Sequence, residues 1–389
     1  MTLFLQIVAG FFVALILVGA LAFWFIRRKI RKFTQNFGGI IEKALEQAMS
    51  GSMVPPFRMH LKLHESDDDE DSPFHHIDDV ERLSEQFDGL GFERVADFDV
   101  TNMPLGIRGW IHAEHRLFAI VYDHPVGGAI CDVSRRYTDM ASWTASNSKY
   151  DGMNMPPGAH AVFLPESSVE ELMQRVLEES PVNNIMPADR EKFAYVVEAA
   201  YARTMNWNIE RGGPTEQEIR RMAEINGDEA TDEFVDQVQS AWKRAISEFL
   251  SEKALQLWKK DQSLTDAQFD RIQHRLTVIH NRIQPEQMMM AVFPDFELAD
   301  ANMDDEDSDA ETRRQARIFE KLKALLRREP VPKAFEKLLQ VAGQSEAWAL
   351  QGSIAKPIQC DIWLRPDDED VDEEDEEFDT SEYDDEISL

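Results

Sequence analysis

Eight of the ten histidines in this chain fall between His60 and His160. Histidine beside carboxylate is the pairing that metal coordination and general acid–base chemistry both require. The local groups are His75-His76 with Asp78 and Asp79, His112 with Glu114 and His115, and Asp123-His124. None has a spacing with mechanical logic, since H-E-x-x-H and paired C-x-x-C are both missing from the sequence. His112 and His115 flank a predicted hairpin turn, where polar residues occur without any catalytic reason. Nucleophilic chemistry has as little support. No G-x-S-x-G elbow occurs, and Cys131 falls inside a predicted strand, the usual setting of a small buried apolar residue. Gly127-Gly128 and Gly212-Gly213 are isolated doublets without a P-loop lysine or a dinucleotide fingerprint. Motifs therefore imply no catalytic residue, no cofactor and no metal. The polar group left to an enzyme reading is His112, Asp123 and His124.

Two clusters of cations carry a positional signal instead. Arg27, Arg28, Lys29, Arg31 and Lys32 follow directly on Leu3 to Ile26, a run that is apolar except for Gln6. As a helix that run would measure about 36 Å, enough to cross a hydrocarbon core of about 30 Å with some tilt. Ala20-Leu21-Ala22 resembles a signal-peptide cleavage site. Against cleavage, no basic residue precedes the run, and Phe23-Trp24-Phe25-Ile26 prolongs it. Basic residues flanking a span stay on the cytoplasmic side. The expectation is a single-pass protein of a bacterial-type inner membrane, with its N-terminus outside and its body cytoplasmic. Two cysteines, Cys131 and Cys360, are compatible with a reducing compartment.

The second cluster is Arg313, Arg314, Arg317, Lys321, Lys323, Arg327 and Arg328, interleaved with Ile318, Phe319, Leu322, Leu325 and Leu326. This is an amphipathic helix of reversed sign in a chain of formal net charge −32. It admits three readings: a helix docked on the body, an interfacial helix on an anionic leaflet, or a clasp for the acidic tail.

The net charge argues against nucleic-acid binding. Thr215 to Phe234 has the outline of a helix-turn-helix, with Ala223-x-x-x-Gly227 at its turn. Its reading helix would begin Asp228, Glu229, Asp232, Glu233 and Asp236, which would face phosphates. Much of the acid is in blocks, Glu65 to Asp71, Asp300 to Glu311 and Asp367 to Glu386, that resist collapse and act as linkers or tails.

These blocks divide the chain. A transmembrane anchor over 1–26 leads to a basic juxtamembrane helix over 27–50 and a linker over 51–76. Within that linker Phe57, Met59, Leu61 and Leu63 alternate with polar residues as a strand does. Residues 77–182 predict an α+β module. It has a helix over Asp78–Phe87 and an antiparallel meander over 94–100, 106–112, 117–123, 129–137 and 141–146. A strand over His160–Leu164 and a helix capped by Ser167 or Ser168 complete it. Residues 186–292 predict an all-helical module. Val235, Val238, Trp242, Ala245 and Phe249 match the 3-4-3-4 spacing of Phe269, Ile272, Leu276, Ile279 and Ile283. Equal seams across a short link predict an antiparallel helical hairpin. An acidic linker over 294–312, the basic helix with terminal elements over 313–364, and a disordered acidic tail over 365–389 complete an α+β chain.

The expected role is an interaction or scaffolding module held at the membrane through lipid contact of the N-terminal helix, with a protein partner the sequence does not identify. The competing role is a membrane-linked enzyme. A cytoplasm-specific reporter fused after Leu389 is expected to be active; activity only in an exported compartment would reverse the topology.

Overall fold

A computed structural model describes residues 54–65, 72–101, 103–125, 127–296 and 310–366. The anchor expected over 1–26, the basic helix over 27–50 and the acidic tail beyond residue 366 lie outside the described residues. So does most of the two acidic spacers. The chain divides into two compact units, Met1–Trp242 and Lys243–Leu389.

The first unit is α+β and built on a seven-stranded sheet. Its elements are β1 (Leu61–Leu63), α1 (Ile77–Gly89), β2 (Glu93–Val100), β3 (Gly106–His112), β4 (Leu117–His124) and β5 (Gly128–Arg136). After them come β6 (Ser142–Ser146), β7 (Ala159–Phe163), α2 (Val169–Glu179), α3 (Phe193–Arg211) and α4 (Glu216–Asn226). The strands lie in sequence order, antiparallel from β1 to β6, and β7 runs parallel to β6. The alternating segment before the first acidic block contributes only the three residues of β1, on the sheet edge beside β2.

Strand alternation sends side chains to two covered faces. On one, Trp110, Ala119, Val121, Cys131, Val133 and Trp143 pack with Val80, Leu83 and Phe87 of α1 and Val169, Leu172 and Val176 of α2. Phe87 stacks on Trp110 at 5.5 Å. α2 starts at Ser168, whose hydroxyl and the Glu171 carboxylate form a capping box. The buried Arg108 pins α1 to this face. It gives paired hydrogen bonds of 2.8 and 2.9 Å to Asp97 of β2, and its Nη1 donates to Glu81 and Ser84 of α1. On the other face, Phe98, Ile107, Ile111, Phe118 and Ile120 meet Phe193, Val196 and Val197 of α3.

The helix seats there because β3 lacks a side chain at one point. A Cβ at Gly109 would lie 2.4 Å from the Phe193 ring.

The second unit corrects the all-helical expectation for 186–292. α5 (Asp232–Asp261) is a single long helix whose residues from Lys243 onward belong here. The partner helix of the predicted hairpin does not form. α6 (Asp266–Ile272) ends early, a 3₁₀ turn covers Gln273–Arg275, and β8 (Leu276–His280) follows. Thr277-Val278-Ile279 puts three β-branched residues in a row, which favours strand over helix. The apolar spacing that imitates a helical seam divides between the two faces of this strand. Leu276 and Val278 pack with Ala254 and Trp258 of α5, while Ile279 turns to the opposite cluster.

Next come α7 (Pro285–Val292), α8 (Ala310–Leu326), α9 (Val331–Val341), β9 (Ala349–Ile354) and β10 (Cys360–Leu364). The small sheet is antiparallel in the order β8-β10-β9. Among the described residues no helix is long and apolar enough to cross a bilayer.

Gly109→Ala is expected to displace Phe193 and cost about 1–3 kcal/mol. The measurement is the chemical denaturation midpoint with its slope, and an unchanged midpoint would mean that α3 does not rest on this contact.

Candidate functional site

The polar residues marked out by the sequence do not converge. His112 pairs with Leu117 across the β3–β4 hairpin, and Asp123 pairs with Gly106 at its other end. Six strand positions separate the two, about 20 Å. Asp123 is fully buried and serves the backbone. One carboxylate oxygen accepts the amides of His75 at 2.5 Å and His76 at 2.7 Å, the other sits 2.8 Å from the His76 ring, and together they hold the start of α1. His124 accepts the Gly127 amide, closing the turn after β4. His112 lies against Phe92 and His115, and burial with the neighbouring His115 lowers its pKa. Among the described residues no group of three or more His, Cys, Asp or Glu is placed to hold a metal ion.

The basic helix is α8. Ala316, Ile318, Phe319, Leu322 and Leu325 are buried in the second unit's core. Arg313, Arg314, Arg317, Lys321, Arg327 and Arg328 face solvent, and Lys323 is half-buried in an ion pair with Glu320. Its apolar face is thus already covered, and only the charged face is open. Arg27, Arg28, Lys29, Arg31 and Lys32 lie outside the described residues.

The site that the sequence did not reveal is a cavity of about 360 Å³ in the first unit, between α3 and the β5–β7 half of the sheet. That volume is in the ~300–1,000 Å³ range of small-molecule pockets. Strand register lays out its floor. Asp132 of β5 pairs with Ser146 of β6, Ser134 with Thr144, and Arg136 with Ser142. Beside them β7 places Phe163, Ala161 and Ala159 in the same three rows. All the side chains with these parities point away from α1 and α2. Apolar walls come from Ile120, Ile130, Met186, Val197 and Ala200, and the mouth is rimmed by Met140, Met155 and Tyr195. Those three are among the large hydrophobic side chains most exposed to solvent, with Tyr195 at 69%.

A pinned loop roofs the cavity. The segment between β6 and β7 carries Asp151 and Met155, and its Asn154 amide donates to the buried Glu218 of α4 at 2.9 Å. Glu218 also accepts from Thr215 and, at 2.6 Å, from Arg211. Burial works against its charge, but these hydrogen bonds outweigh burial and hold its pKa low. The loop passes so close to α4 at Gly152 (φ +84°) that a Cβ there would sit 2.9 Å from the Met222 amide nitrogen. Arg203 of α3 ties the rim by donating to the carbonyls of Met140 and Pro157.

The polar end of the floor is electrostatically unusual. Burial pushes the Asp132 carboxyl up to about 6, only partly offset by Ser146, Arg136 and Tyr122. Its Oδ1 has no hydrogen-bond partner. Burial likewise depresses the Arg136 guanidinium, whose Nε is also without a partner and which feels Asp132 and Tyr122 only through space. Tyr122 is driven well above its ordinary value by burial and the adjacent Asp132. A half-buried cation and a half-buried acid thus stand on one strand face with no ion pair between them, looking into an open volume.

No family model, curated protein or solved structure matches this chain. The cavity escaped sequence reasoning because Asp132, Ser134, Arg136, Ser142, Thr144 and Ser146 alternate with apolar residues as any solvent-facing strand does. The available signal was a charge of each sign on an interior strand, which becomes anomalous only once α3 is known to cover that face.

Because the folded protein binds a proton at Asp132 between its ordinary pKa of 3.8 and about 6, stability falls as pH rises through that window. Asp132→Asn is expected to be more stable than the parent above that window, by about 1–3 kcal/mol, and level with it at pH values below 3.8. Urea denaturation across pH tests this; parallel curves for the two proteins would refute it.

Proposed function

We propose that this chain is a membrane-tethered interaction module that binds a small ligand in the cavity beneath α3. The observation that carries the reading is a concave volume with apolar walls, an exposed methionine and tyrosine rim, and unpartnered polar atoms at one end. An apolar enclosure with a few convergent polar groups is the general form of a ligand site. Buried polar atoms without partners are costly, and a ligand that supplies the partners recovers that cost. Methionine at the rim fits an adaptable entrance.

The tether rests on the apolar run and cation cluster of residues 3–32, a pattern that supports a body on the cytoplasmic face. The second unit supplies the surface for partners. α8 offers a solvent-facing row of Arg313, Arg317 and Lys321, suited to anionic lipid or to an acidic protein segment, while its apolar face is committed to its own core. Binding rather than catalysis is favoured because His112 and Asp123 stand at opposite ends of one hairpin.

The test is photolabelling of the full chain in lipid with a neutral alkyl diazirine. Labelled peptides are expected to contain Met140, Met155 or Met186. Filling the cavity with Ala161→Trp, or from the opposite wall with Ala200→Leu, should cut labelling there about tenfold. Labelling confined to other surfaces, or unaffected by either variant, would overturn the reading.

A further inference from the structure

We propose that the ligand is an amphipathic carboxylate, with its acyl chain along the apolar wall and its head between Arg136 and Asp132. This inference rests on the cavity being a binding site and adds the chemistry of what it binds.

The argument begins with the cation. An arginine kept from water is normally paired with a carboxylate or saturated by carbonyls. Two arginines of this unit are served that way, Arg108 by Asp97 and Glu81 and Arg211 by Glu218 and Asn208. Arg136 is not: its Nε is unpartnered, as are those of Arg135 and Arg221, and of these three it is the one that lines the cavity. A guanidinium in that state fits a planar carboxylate with paired hydrogen bonds.

The second element is Asp132, four residues along the same strand face, about 13 Å between Cα atoms. Thr144 lies in the row between them, its hydroxyl on the cavity floor. An ionised Asp132 would repel an incoming anion. A protonated one would not, and its bare Oδ1 could then carry the hydrogen that the ligand accepts. Two carboxyl groups sharing one proton is a stable arrangement in a desolvated site. A doubly charged phosphate would face the same acid, and the second guanidinium of the lining, Arg203, is committed to the Met140 and Pro157 carbonyls, so a singly charged head fits better. The rest of the lining is apolar over most of its extent, which calls for a hydrocarbon tail.

The binding should therefore strengthen on acidification. The other charged or titratable groups facing the cavity are Tyr122 of β4, Tyr137 after β5, Lys149 and Asp151 of the roof, and Tyr195, Tyr201 and Arg203 of α3. The tyrosines Tyr122, Tyr137 and Tyr201 are all shifted upward by burial and stay neutral. Burial raises Asp151 as well, although it accepts the Met153 amide at 2.8 Å. Asp151→Asn is therefore the control for Asp132→Asn.

The experiment is competition against the neutral diazirine on the full chain, using decanoate, decanol, decylamine and decanesulfonate. Comparing wild type and variants in the same lipid cancels partitioning of the competitors. Wild type is expected to prefer decanoate over decanol about tenfold at about pH 5.5, and less at about pH 8. Arg136→Met should abolish the preference and Arg136→Lys should retain most of it. Asp132→Asn should keep the preference and remove its pH dependence; loss of that dependence in Asp151→Asn instead would overturn the assignment of the titration to Asp132. Decanesulfonate stays ionised throughout, so a matching pH trend assigns the titration to the protein. Equal displacement by decanoate and decanol, or preference for decylamine, would overturn the carboxylate assignment while leaving the cavity as a binding site. Failure of the diazirine to label the cavity at all would instead remove the underlying reading.

Discussion

A helix about 10 Å across cannot cover a sheet of seven strands spaced about 4.8 Å apart. That mismatch of widths organises the first unit. One face receives two helices, α1 and α2, and forms a continuous apolar core from Phe87 to Val176. Among the described residues the other receives α3, which packs against β2, β3 and β4 through Phe193 and Val196. The remaining strands, β5 to β7, must either meet water or enclose a space. Their side chains on that face are small or polar apart from Ile130 and Phe163, and the loop between β6 and β7 folds over them. The cavity is thus a consequence of sheet width and helix number, with its chemistry chosen by the residues left uncovered.

The contrast between paired and unpaired charge sharpens this view. Arg108 and Glu218 are both buried, and both are enclosed by donors and acceptors that account for their charge. Each joins elements that would otherwise separate: Arg108 fastens α1 to the sheet, and Glu218 closes the start of α4. Asp132 reaches only its strand neighbours Ser146 and Tyr122, and Arg136 forms no ion pair. The same physics that makes the first two anchors makes the second two a reservoir of unmet interaction.

Much of the architecture was legible because strand alternation is a strong signal. The sequence placed β3 over the residues it occupies and found β2 and β4 to β7 to within about one residue, since turn residues punctuate them, while β1 is shorter than its alternation suggested and β9 was not expected. The cap expected at Ser167 or Ser168 falls on Ser168. Two things were hidden. The seam from Phe269 to Ile283 satisfied a helical spacing while its β-branched residues formed β8, because a short strand covered on both faces shows no alternation to set against that spacing. The site was hidden for a different reason. Periodicity reports which residues share a face, whereas what lies opposite that face is decided by elements distant in the chain. The histidine and aspartate groups that looked chemical proved local, with Asp123 spent on the amides that begin α1.

The grip of Glu218 on Asn154 has a mechanical reading. The ceiling of the pocket hangs from a helix terminus rather than from the strands beneath it, so its height follows the position of α4. A strain applied along that helix would be transmitted to the enclosed space without bending the sheet. Conversely, a bulky occupant that lifted the ceiling would load the first turn of α4, and that turn would register occupancy as a change in its own hydrogen bonding.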